Sequence, residues 1–309
     1  MAFYLVTGGC GFIGSHLVDA LLAAGHEVRI LDDLSSGKRS NVPASVEIME
    51  GDVVDPATVV TAMTGVDGCF HLAAIASVQR SNEEWLRSHQ VNLTGAINVF
   101  DAARFANDRG AVPVVYASSA AVYGDNTAVP LAESAEKMPL TAYGADKLGC
   151  EQHARVAGNV HGVPTIGLRF FNIYGPRQDP DSPYSGVISI FADRLRSGRP
   201  ATVFGDGGQM RDFVYVGDCV RFVMAAMQHA GTGAAVYNVC TGRPTTLLAL
   251  VDALGDSAGK KLAVEYGPPR VGDIRRSYGV ATKIERAFGL RAQTPLREGL
   301  TATLASLGP

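Results

Sequence analysis

A glycine-rich turn lies between a short apolar segment and an amphipathic helical pattern near the first residue. The segment "VTGGCGFIGSHL" (residues 6–17) fits G-x-G-x-x-G through Gly9, Gly11 and Gly14, and a second glycine pattern that begins at Gly8. Glycines lack a Cβ atom, so backbone N–H groups and a helix N-terminus can approach a pyrophosphate there. Because a strand pattern precedes the turn and a helix pattern follows it, the sequence predicts a dinucleotide-binding βαβ unit. The alternative is a tight turn without a ligand.

Apolar strand patterns alternate with helical patterns through the first half of the chain. The predicted strands are apolar on both faces, which is typical of buried parallel strands. The first helix has apolar residues at helical spacing from Ile13 to Ala24, and a second predicted helix begins with Asn92 as its N-cap and continues to residue 106. This alternation predicts an α/β fold of the Rossmann type, with a doubly wound parallel sheet. The predicted strands are residues 3–7, 27–32, 46–49, 68–73, 112–118 and 165–170.

The composition of the sequence and the length of its predicted elements change after about residue 172. Residues 174–186 are rich in Pro, Asp, Ser and Gly, as loops are, and shorter mixed elements follow. We therefore predict a dinucleotide-binding domain over residues 1–172 and a smaller C-terminal α/β substrate domain over 173–309. This prediction leaves open that some segments after residue 172 pack with the first domain.

Carboxylates lie at the end of the second predicted strand and after the third. Asp32 lies 18 residues after Gly14, close to the spacing expected for a carboxylate on the adenosine ribose. Asp32 and Asp33 together would repel a 2′-phosphate, which favours NAD over NADP. Asp52 follows the third strand, where it could bind the adenine amine.

Bulk composition excludes several classes of function. The net charge is −3, so no basic field indicates nucleic acid or an anionic membrane as a partner. The five cysteines are scattered singly, which predicts reduced buried thiols in a cytoplasmic protein, without a disulfide framework or a metal site. No signal peptide is expected from the first residues, and no apolar run is long enough for a membrane span.

A tyrosine and a lysine lie one helical turn apart in "TAYGADKLGCEQ" (residues 141–152). Tyr143 and Lys147 share one helix face, and a cation at this separation stabilises a phenolate. The pair can therefore supply a proton acceptor near neutral pH.

With these features, the chain resembles the extended short-chain dehydrogenase/reductase family and, within it, the UDP-hexose 4-epimerases. The resemblance runs along nearly the whole chain. Its markers are "TGGCGFIGSHL", "DDLSSG", "GDVVD", "HLAA", "VNLTGAINV", "YASSAAVYGD", "YGADK", "RFFNIYGPRQDP", "GDGGQMRDFVYVGD" and "RVGDIRRSYG".

The resemblance implies roles for particular residues of this chain. Tyr143 becomes the catalytic base, Lys147 also binds the nicotinamide ribose, and Ser119 hydrogen-bonds the reacting hydroxyl. Asn172, Arg211 and Arg270 are expected at the diphosphate, and Asp273 at the uridine ribose. The complete cofactor set is Gly8, Gly11, Phe12, Ile13, Gly14, Asp32, Asp33, Ser36, Gly37, Asp52, Val53, Leu72, Ala73, Ala74, Asn92, Tyr143, Lys147 and Phe170. The complete substrate set is Ser118, Ser119, Tyr143, Asn172, Val187, Arg211, Arg270, Asp273 and Ser277.

The implied reaction is NAD-dependent epimerisation of a UDP-hexose at carbon 4 through a 4-keto intermediate. Nucleotide-sugar dehydratases of the family carry Asp-Glu after the catalytic Ser/Thr, whereas this chain has Ala120 and Ala121, so elimination is disfavoured. A UDP-glucuronate 4-epimerase remains an alternative, and a decarboxylase is a weaker one. A non-catalytic NAD-sensing protein is the alternative of another class, but it would not need Ser119, Tyr143 and Lys147.

Two finer expectations follow from the same resemblance, and a third from helix geometry. Ser277, four positions after Asp273, lies where a bulky tyrosine would exclude a 2-acetamido group, so we expect UDP-GlcNAc and UDP-GalNAc to be accepted beside UDP-Glc and UDP-Gal. The stretch from residue 179 to 191 also resembles epimerases of acetamido sugars.

Helices near 92–106 and 143–158 are expected to pair in a homodimer. Asp146, where the family usually has serine, is expected to be solvated.

Overall fold

The computed structural model describes residues 1–179, 186–231, 233–270 and 273–307. The chain forms two compact units, and each is assembled from three segments. The first unit consists of Met1–Val122, Thr141–Arg169 and Val220–Tyr237. The second consists of Tyr123–Leu140, Phe170–Cys219 and Asn238–Pro309.

Strands and helices alternate through the first unit and become shorter in the second. The strands are β1 (Phe3–Thr7), β2 (Glu27–Asp32), β3 (Glu47–Glu50), β4 (Gly68–His71), β5 (Val114–Ser119), β6 (Thr165–Phe170), β7 (Asn172–Tyr174), β8 (Ala201–Phe204), β9 (Met210–Tyr215), β10 (Ala234–Val239), β11 (Pro244–Thr246), β12 (Val264–Gly267) and β13 (Arg276–Ser277). The α-helices are α1 (Phe12–Ala23), α2 (Pro56–Met63), α3 (Val78–Glu83), α4 (Trp85–His89), α5 (Gly95–Ala102), α6 (Ala142–His161), α7 (Val187–Arg196), α8 (Val216–Gln228), α9 (Leu247–Ala258), α10 (Thr282–Phe288) and α11 (Leu296–Ser306).

A seven-stranded sheet forms the centre of the first unit, in the order β10-β6-β5-β4-β1-β2-β3. β1 pairs in parallel with both β2 and β4, and the pairs β2–β3 and β4–β5 are also parallel. Every residue of β4 and of β6 is buried, so these strands are covered on both faces. The predicted Rossmann-type α/β fold is confirmed. The strand order reverses between β1 and β4, and folds of this kind bind ligands beyond the carboxyl ends of the strands at such a point.

Helix α6 carries the Tyr143–Lys147 pair, and both of its ends are defined by local sequence. Thr141 caps its N-terminus, with the side-chain hydroxyl accepting from the Gly144 N–H at 3.1 Å. Gly162 ends it in the left-handed region at φ 69°, a conformation that glycine adopts without strain. The intervening helix places positions 143, 147 and 151 on successive turns of one face.

A smaller sheet organises the second unit. β9 lies between β11 and β13, and β7 also pairs with β9 in parallel. Helices α7, α9 and α11 pack with these strands around a core that includes Phe191, Phe213, Leu250 and Leu300. β8 and β12 form a separate two-stranded parallel sheet.

The structure corrects one expectation about the helices and adds a strand. Asn92 is not an N-cap, because a π-helical segment, Gln90–Thr94, continues the helical run from α4 into α5 and buries the Asn92 side chain. The seventh strand, β10, was not predicted from the sequence. The domain boundary at residue 172 stays a prediction, although the chain crosses between the units close to it, after Arg169. In the part of the chain that the structure describes, no helix is both long and apolar enough to cross a lipid bilayer.

Candidate active site

The glycine turn lies at the carboxyl end of β1 and closes tightly on itself. A Cβ atom at Gly14 would lie 2.1 Å from the Gly8 carbonyl oxygen, and one at Gly8 would lie 2.7 Å from the Ala73 nitrogen. Gly8 also has φ 70°, which disfavours other residues. Helix α1 starts at Phe12 and Ile13, and Gly11 at its N-cap has no side chain to satisfy the first N–H groups. These N–H groups can bind an anion.

The Asp32 carboxylate lies at the end of β2 and holds the glycine turn. Its two oxygens accept from the Cys10 N–H and the Leu34 N–H, both at 2.9 Å. Burial raises the pKa of Asp32, the charge of Asp33 adds to the rise, and the two N–H donors oppose it. Asp33 is exposed and accepts from the Ser35 hydroxyl at 2.6 Å.

Ser36 and Gly37 lie in the loop beside the glycine turn. Ser36 is exposed, and a Cβ atom at Gly37 would lie 2.9 Å from both an Asp32 oxygen and the Cys10 Cβ. This close packing fixes the loop against the turn that we predict to bind the pyrophosphate.

Asp52 and Val53 follow β3 with different environments. Asp52 accepts from the Val54 N–H at 2.9 Å and forms an ion pair with Arg87 at 2.5 Å, whereas Val53 is buried in the core. Asp52 is partly exposed and can offer an oxygen to a ligand. The sequence analysis did not identify Arg87, on α4, as the partner of Asp52.

The segment Leu72–Ala74 continues beyond β4, half-buried, alongside the glycine turn. The Ala73 N–H donates to the Thr7 hydroxyl at 3.2 Å, and that hydroxyl also hydrogen-bonds His71 Nδ1 at 2.8 Å. Burial lowers the pKa of His71 to about 3, and the positive charge of Lys147 adds to the effect. His71 is therefore a neutral imidazole at physiological pH.

Tyr143 and Lys147 lie on one face of α6, with the Lys147 ammonium 5.8 Å from the centre of the Tyr143 ring. Lys147 is only 2% exposed. Within the described ranges its ammonium has no hydrogen-bond acceptor, so a ligand can provide one. Ser119 ends β5, and its hydroxyl accepts from the Ala121 N–H at 3.1 Å, which leaves the serine O–H proton available for a ligand.

Asp146 is buried, so the expectation that it is solvated was wrong. It is 5% exposed, and one of its oxygens lies 2.9 Å from Nδ1 of His89 on α4. Position 146 faces α4, because α4 packs directly against α6. A sequence alone does not show that a second helix covers that face.

Asn92 clamps the segment that follows β4. Its side-chain oxygen accepts from the Ile75 N–H at 2.8 Å, and its amide donates to the Ile75 carbonyl at 3.2 Å and to Ser88 Oγ at 3.1 Å. These contacts use the amide group within the protein. Asn92 thus orders the Leu72–Ile75 segment, and its direct contact with a cofactor stays a prediction.

Ser118 belongs to a buried ionic cluster that was missed in the sequence. Its hydroxyl donates to Glu151 at 2.6 Å, and Arg169 donates to both oxygens of Glu151 at 2.8 and 2.7 Å. The direct contact of Ser118 with substrate, predicted above, gains no support from this geometry. A signal was present, since Arg169 is a charge in the apolar strand "TIGLRF" and needs a buried partner.

In the second unit, Arg211 and Asp273 form an ion pair of 2.8 Å. Arg211 also donates to the carbonyls of Met210 and Ile274, and Gln209 donates to the other Asp273 oxygen at 2.9 Å. Burial lowers the pKa of Arg211, while Asp273 opposes that shift. The pair holds a partly exposed guanidinium in a fixed orientation.

The remaining predicted substrate residues, together with the predicted cofactor residue Phe170, lie on several elements of the second unit. Arg270 stacks on Phe204, with its guanidinium carbon 3.8 Å from the ring centre. Ser277 lies on β13 beside Arg211 of β9 in the parallel register. Asn172 begins β7, Val187 begins α7 and Phe170 ends β6. Residues 180–185, in the stretch that resembles acetamido-sugar epimerases, lie outside the described residues, as do Val271 and Gly272.

The first unit fits an NAD molecule by three independent features. The glycine turn presents the N-terminus of α1, the Asp32 carboxylate lies against that turn, and the ammonium of the buried residue Lys147 has no acceptor among the residues that the structure describes. These features come from the ends of β1 and β2 and from α6. All three features lie in the first unit.

Comparison with known proteins identifies the family. The model of the NAD dependent epimerase/dehydratase family matches residues 4–240. A UDP-glucose 4-epimerase of Mycolicibacterium smegmatis is 38% identical over 307 residues, covering 97% of this chain and 96% of that protein.

Solved structures give the same result. A UDP-N-acetylglucosamine 4-epimerase of Methanobrevibacter ruminantium, in complex with UDP-N-acetylmuramic acid, has a TM-score of 0.93 and 34% identity, covering 99% of this chain and 98% of its own. A Thermus thermophilus UDP-glucose 4-epimerase in complex with NAD has a TM-score of 0.89 and 38% identity, covering 98% of both chains. The family and the NAD cofactor predicted from the sequence are confirmed, and this chain belongs to the NAD dependent epimerase/dehydratase family.

Proposed function

We propose that this protein is an NAD-dependent UDP-hexose 4-epimerase. The observation that carries the proposal is the buried Lys147 ammonium beside Tyr143, in the unit that also contains the glycine turn and the free Ser119 O–H. Relatives that match nearly the whole chain are named as UDP-glucose or UDP-N-acetylglucosamine 4-epimerases.

The chain's own residues have distinct tasks in this reaction. Tyr143 takes the proton of the 4-hydroxyl as a phenolate, which the Lys147 ammonium stabilises, and Ser119 orients that hydroxyl by a hydrogen bond. NAD, which the glycine turn, Asp32 and Lys147 would hold, would supply the group that takes up a hydride from carbon 4 and gives it back on the opposite face. Lys147 also provides a cation for the nicotinamide ribose.

Arginines of the second unit suit the UDP part of the substrate. Arg211 and Arg270 can each bind diphosphate oxygens through two N–H groups, which a lysine would do with less geometric specificity. Asn172 is proposed at the same group and Asp273 at the uridine ribose. The Arg211–Asp273 ion pair keeps both side chains ordered before substrate binds.

Ala120 and Ala121 disfavour the other reactions of this family. Both residues lie in the 3₁₀ turn directly after Ser119, where a methyl group can neither donate nor accept a proton. A dehydratase needs acid and base groups at that point, so epimerisation is the better-supported activity. A UDP-glucuronate 4-epimerase is the second candidate, because Ala120 and Ala121 do not discriminate between the two sugars.

We further propose that the enzyme accepts 2-acetamido sugars beside UDP-Glc and UDP-Gal. Ser277 is small, and the Methanobrevibacter ruminantium relative is named as a UDP-N-acetylglucosamine 4-epimerase. A bulky side chain at position 277 would exclude the acetamido group by steric overlap.

A homodimer and a cytoplasmic location complete the proposal. Exposed apolar side chains lie on the helices near 92–106 and 143–158 that we expect to pair: Phe105 at the end of the first, and Val156 and Val160 on α6. Apolar surface of this kind is typical of protein interfaces. All five cysteines are buried free thiols, which is compatible with a reducing compartment.

Product analysis with separate UDP-sugars tests the proposal. The NAD-loaded protein is incubated with UDP-Glc, UDP-GlcNAc and UDP-glucuronate, and the 4-epimers are separated chromatographically. We expect conversion of the first two sugars. Binding of NAD without conversion of any sugar would favour the sensing protein, and conversion of UDP-glucuronate alone would favour the second candidate. Ser277→Tyr should abolish turnover of UDP-GlcNAc and spare that of UDP-Glc.

A further inference from the structure

The cluster of Glu151, Arg169 and Ser118 lies one helical turn beyond the catalytic pair. Glu151 follows Tyr143 and Lys147 at the same four-residue spacing on α6, so it lies about 12 Å along the helix axis from Tyr143. The side chains of Arg169 and Glu151 are 4% and 6% exposed, and Ser118 is 1% exposed. The cluster is therefore a dry ionic contact on the face of α6 that carries the proposed chemistry.

Glu151 connects that helix to two neighbouring strands. Ser118 lies on β5 and Arg169 on β6, and these strands are adjacent in the sheet. One Glu151 oxygen accepts from the Ser118 hydroxyl at 2.6 Å and from Arg169 Nε at 2.8 Å, and the other accepts from Arg169 Nη2 at 2.7 Å. These three charge-assisted hydrogen bonds, two of them from the Arg169 fork, restrict the Glu151 carboxylate to a small range of positions.

Ser118 also directly precedes Ser119. Successive residues of a strand point to opposite faces, so fixing the Ser118 hydroxyl under Glu151 determines the direction in which Ser119 leaves the strand. One carboxylate thus connects the end of β5, where Ser119 lies, to the helix that carries Tyr143.

Stability alone is a poor explanation for such a cluster. Removing two charges from water is costly, and apolar side chains of similar volume often give equal or greater stability than a buried ion pair. Apolar side chains do not provide a directional contact. A hydrogen-bonded ion pair does, and it allows α6 only one position along its axis relative to the strands.

We propose that Glu151 is a positioning residue, which through Arg169 and Ser118 fixes the axial position of α6 so that Tyr143 and Ser119 address the same sugar hydroxyl. The assignment of those two residues to a sugar hydroxyl rests on the proposed function. The fixed position of the helix does not rest on it.

Three variants separate positioning from stability. Glu151→Gln removes the charge at nearly constant shape, and the double variant Glu151→Leu/Arg169→Met replaces the ion pair by apolar side chains. Thr165→Val is the matched control, because the Thr165 hydroxyl also ties β6 to α6, donating to the Ala154 carbonyl at 3.1 Å, but at the opposite end of the strand.

We expect Glu151→Gln to lower kcat by about 10- to 100-fold, with KM and bound NAD unchanged, because a displacement of about 1 Å is enough for such a loss. The double variant should unfold at a denaturant midpoint close to that of the wild type and keep the low kcat. Thr165→Val should be less stable and keep the full kcat. Wild-type kcat in Glu151→Gln, or in the double variant, would overturn the inference.

A crystal structure of the double variant gives a test that does not depend on turnover. The distance between the Tyr143 hydroxyl and Ser119 Oγ should change by about 1 Å relative to the wild type. An unchanged distance would overturn the inference. Absence of epimerisation by the wild type would instead overturn the proposed function alone.

Discussion

The Lys147 ammonium lies 5.8 Å from the centre of the Tyr143 ring, one turn further along the same helix. In the described part of the chain this buried cation has no hydrogen-bond acceptor. The positive charge of Lys147 therefore lies beside the Tyr143 ring. A hydroxyl group of a ligand can accept a hydrogen bond from the Lys147 ammonium.

Replacement of Tyr143 tests its role as the base. Tyr143→Phe removes the phenol oxygen and keeps the ring beside Lys147, so we expect kcat to fall by roughly 100- to 10,000-fold, the range typical of a lost general base. Bound NAD, measured after denaturation, should remain at the wild-type level. Full turnover in this variant would remove Tyr143 from the mechanism.

Replacement of Lys147 should affect the cofactor as well as turnover. Lys147→Met keeps the aliphatic length and removes the charge that we assign to both the phenolate and the nicotinamide ribose. We therefore expect less NAD to remain bound after gel filtration, together with a kcat at least about 100-fold lower. Unchanged NAD content would show that the ribose contact is wrong, even if kcat falls.

The Arg211–Asp273 ion pair leads to a prediction about substrate affinity. Asp273→Asn weakens the orientation of Arg211 and the proposed contact with the uridine ribose, but it leaves the first unit unchanged. We expect KM for the UDP-sugar to rise about 10-fold or more, with kcat within about 3-fold, the pattern of lost uniform binding. Steady-state kinetics measure both, and a loss confined to kcat would contradict this assignment.

His71 makes stability depend on pH in the acid range. Burial, with Lys147 as a second cause, lowers the pKa of folded His71 from 6.5 to about 3. Between these values the unfolded chain binds a proton and the folded protein does not. The contribution of neutral His71 to the free energy of unfolding is therefore fully present above pH 6.5 and is lost as the pH falls towards 3. Over this range the free energy of unfolding changes by up to about 1.4 kcal/mol per pH unit.

The variant His71→Asn should show a shallower acid loss than the wild type. Asparagine can still hydrogen-bond Thr7, but it does not titrate. Denaturant unfolding measured at several pH values between 7 and 4.5 provides the comparison. Equal slopes for the two proteins would show that His71 protonates in the folded state as easily as in the unfolded chain.

Tyr116 leads to a prediction of increased stability. Its ring is buried, and among the residues described here its hydroxyl has no hydrogen-bond partner. Tyr116→Phe removes an unsatisfied buried group and should raise the free energy of unfolding by about 1 kcal/mol. Tyr123→Phe is the matched control, because the Tyr123 hydroxyl donates to Asn238 at 2.6 Å, and its loss should destabilise by about 1 kcal/mol. A destabilised Tyr116→Phe would contradict the prediction.

Local sequence patterns predicted much of the first unit. β1, β2 and β6 have the predicted bounds, because each is a short, mainly apolar segment between polar or glycine-containing stretches. The glycine turn and Asp32 were also predictable, since their spacing follows from a single strand–turn–helix unit.

Long-range contacts explain what was missed. Asn92 and Asp146 have helical neighbours in sequence, but their burial depends on Ile75 and His89, which are distant along the chain. The Glu151–Arg169 pair likewise joins a helix to a strand. β10 was missed because it lies within the loop-rich second half and its sequence "AAVYNV" includes a polar residue.

The place of β10 in the sheet has a consequence for synthesis on the ribosome. β10 is the edge strand beside β6, and it is translated long after the other strands of that sheet. Until residue 239 has emerged, a nascent chain must keep the unpaired edge of β6 from joining other chains. Completion of the first unit therefore waits until about half of the second has been made.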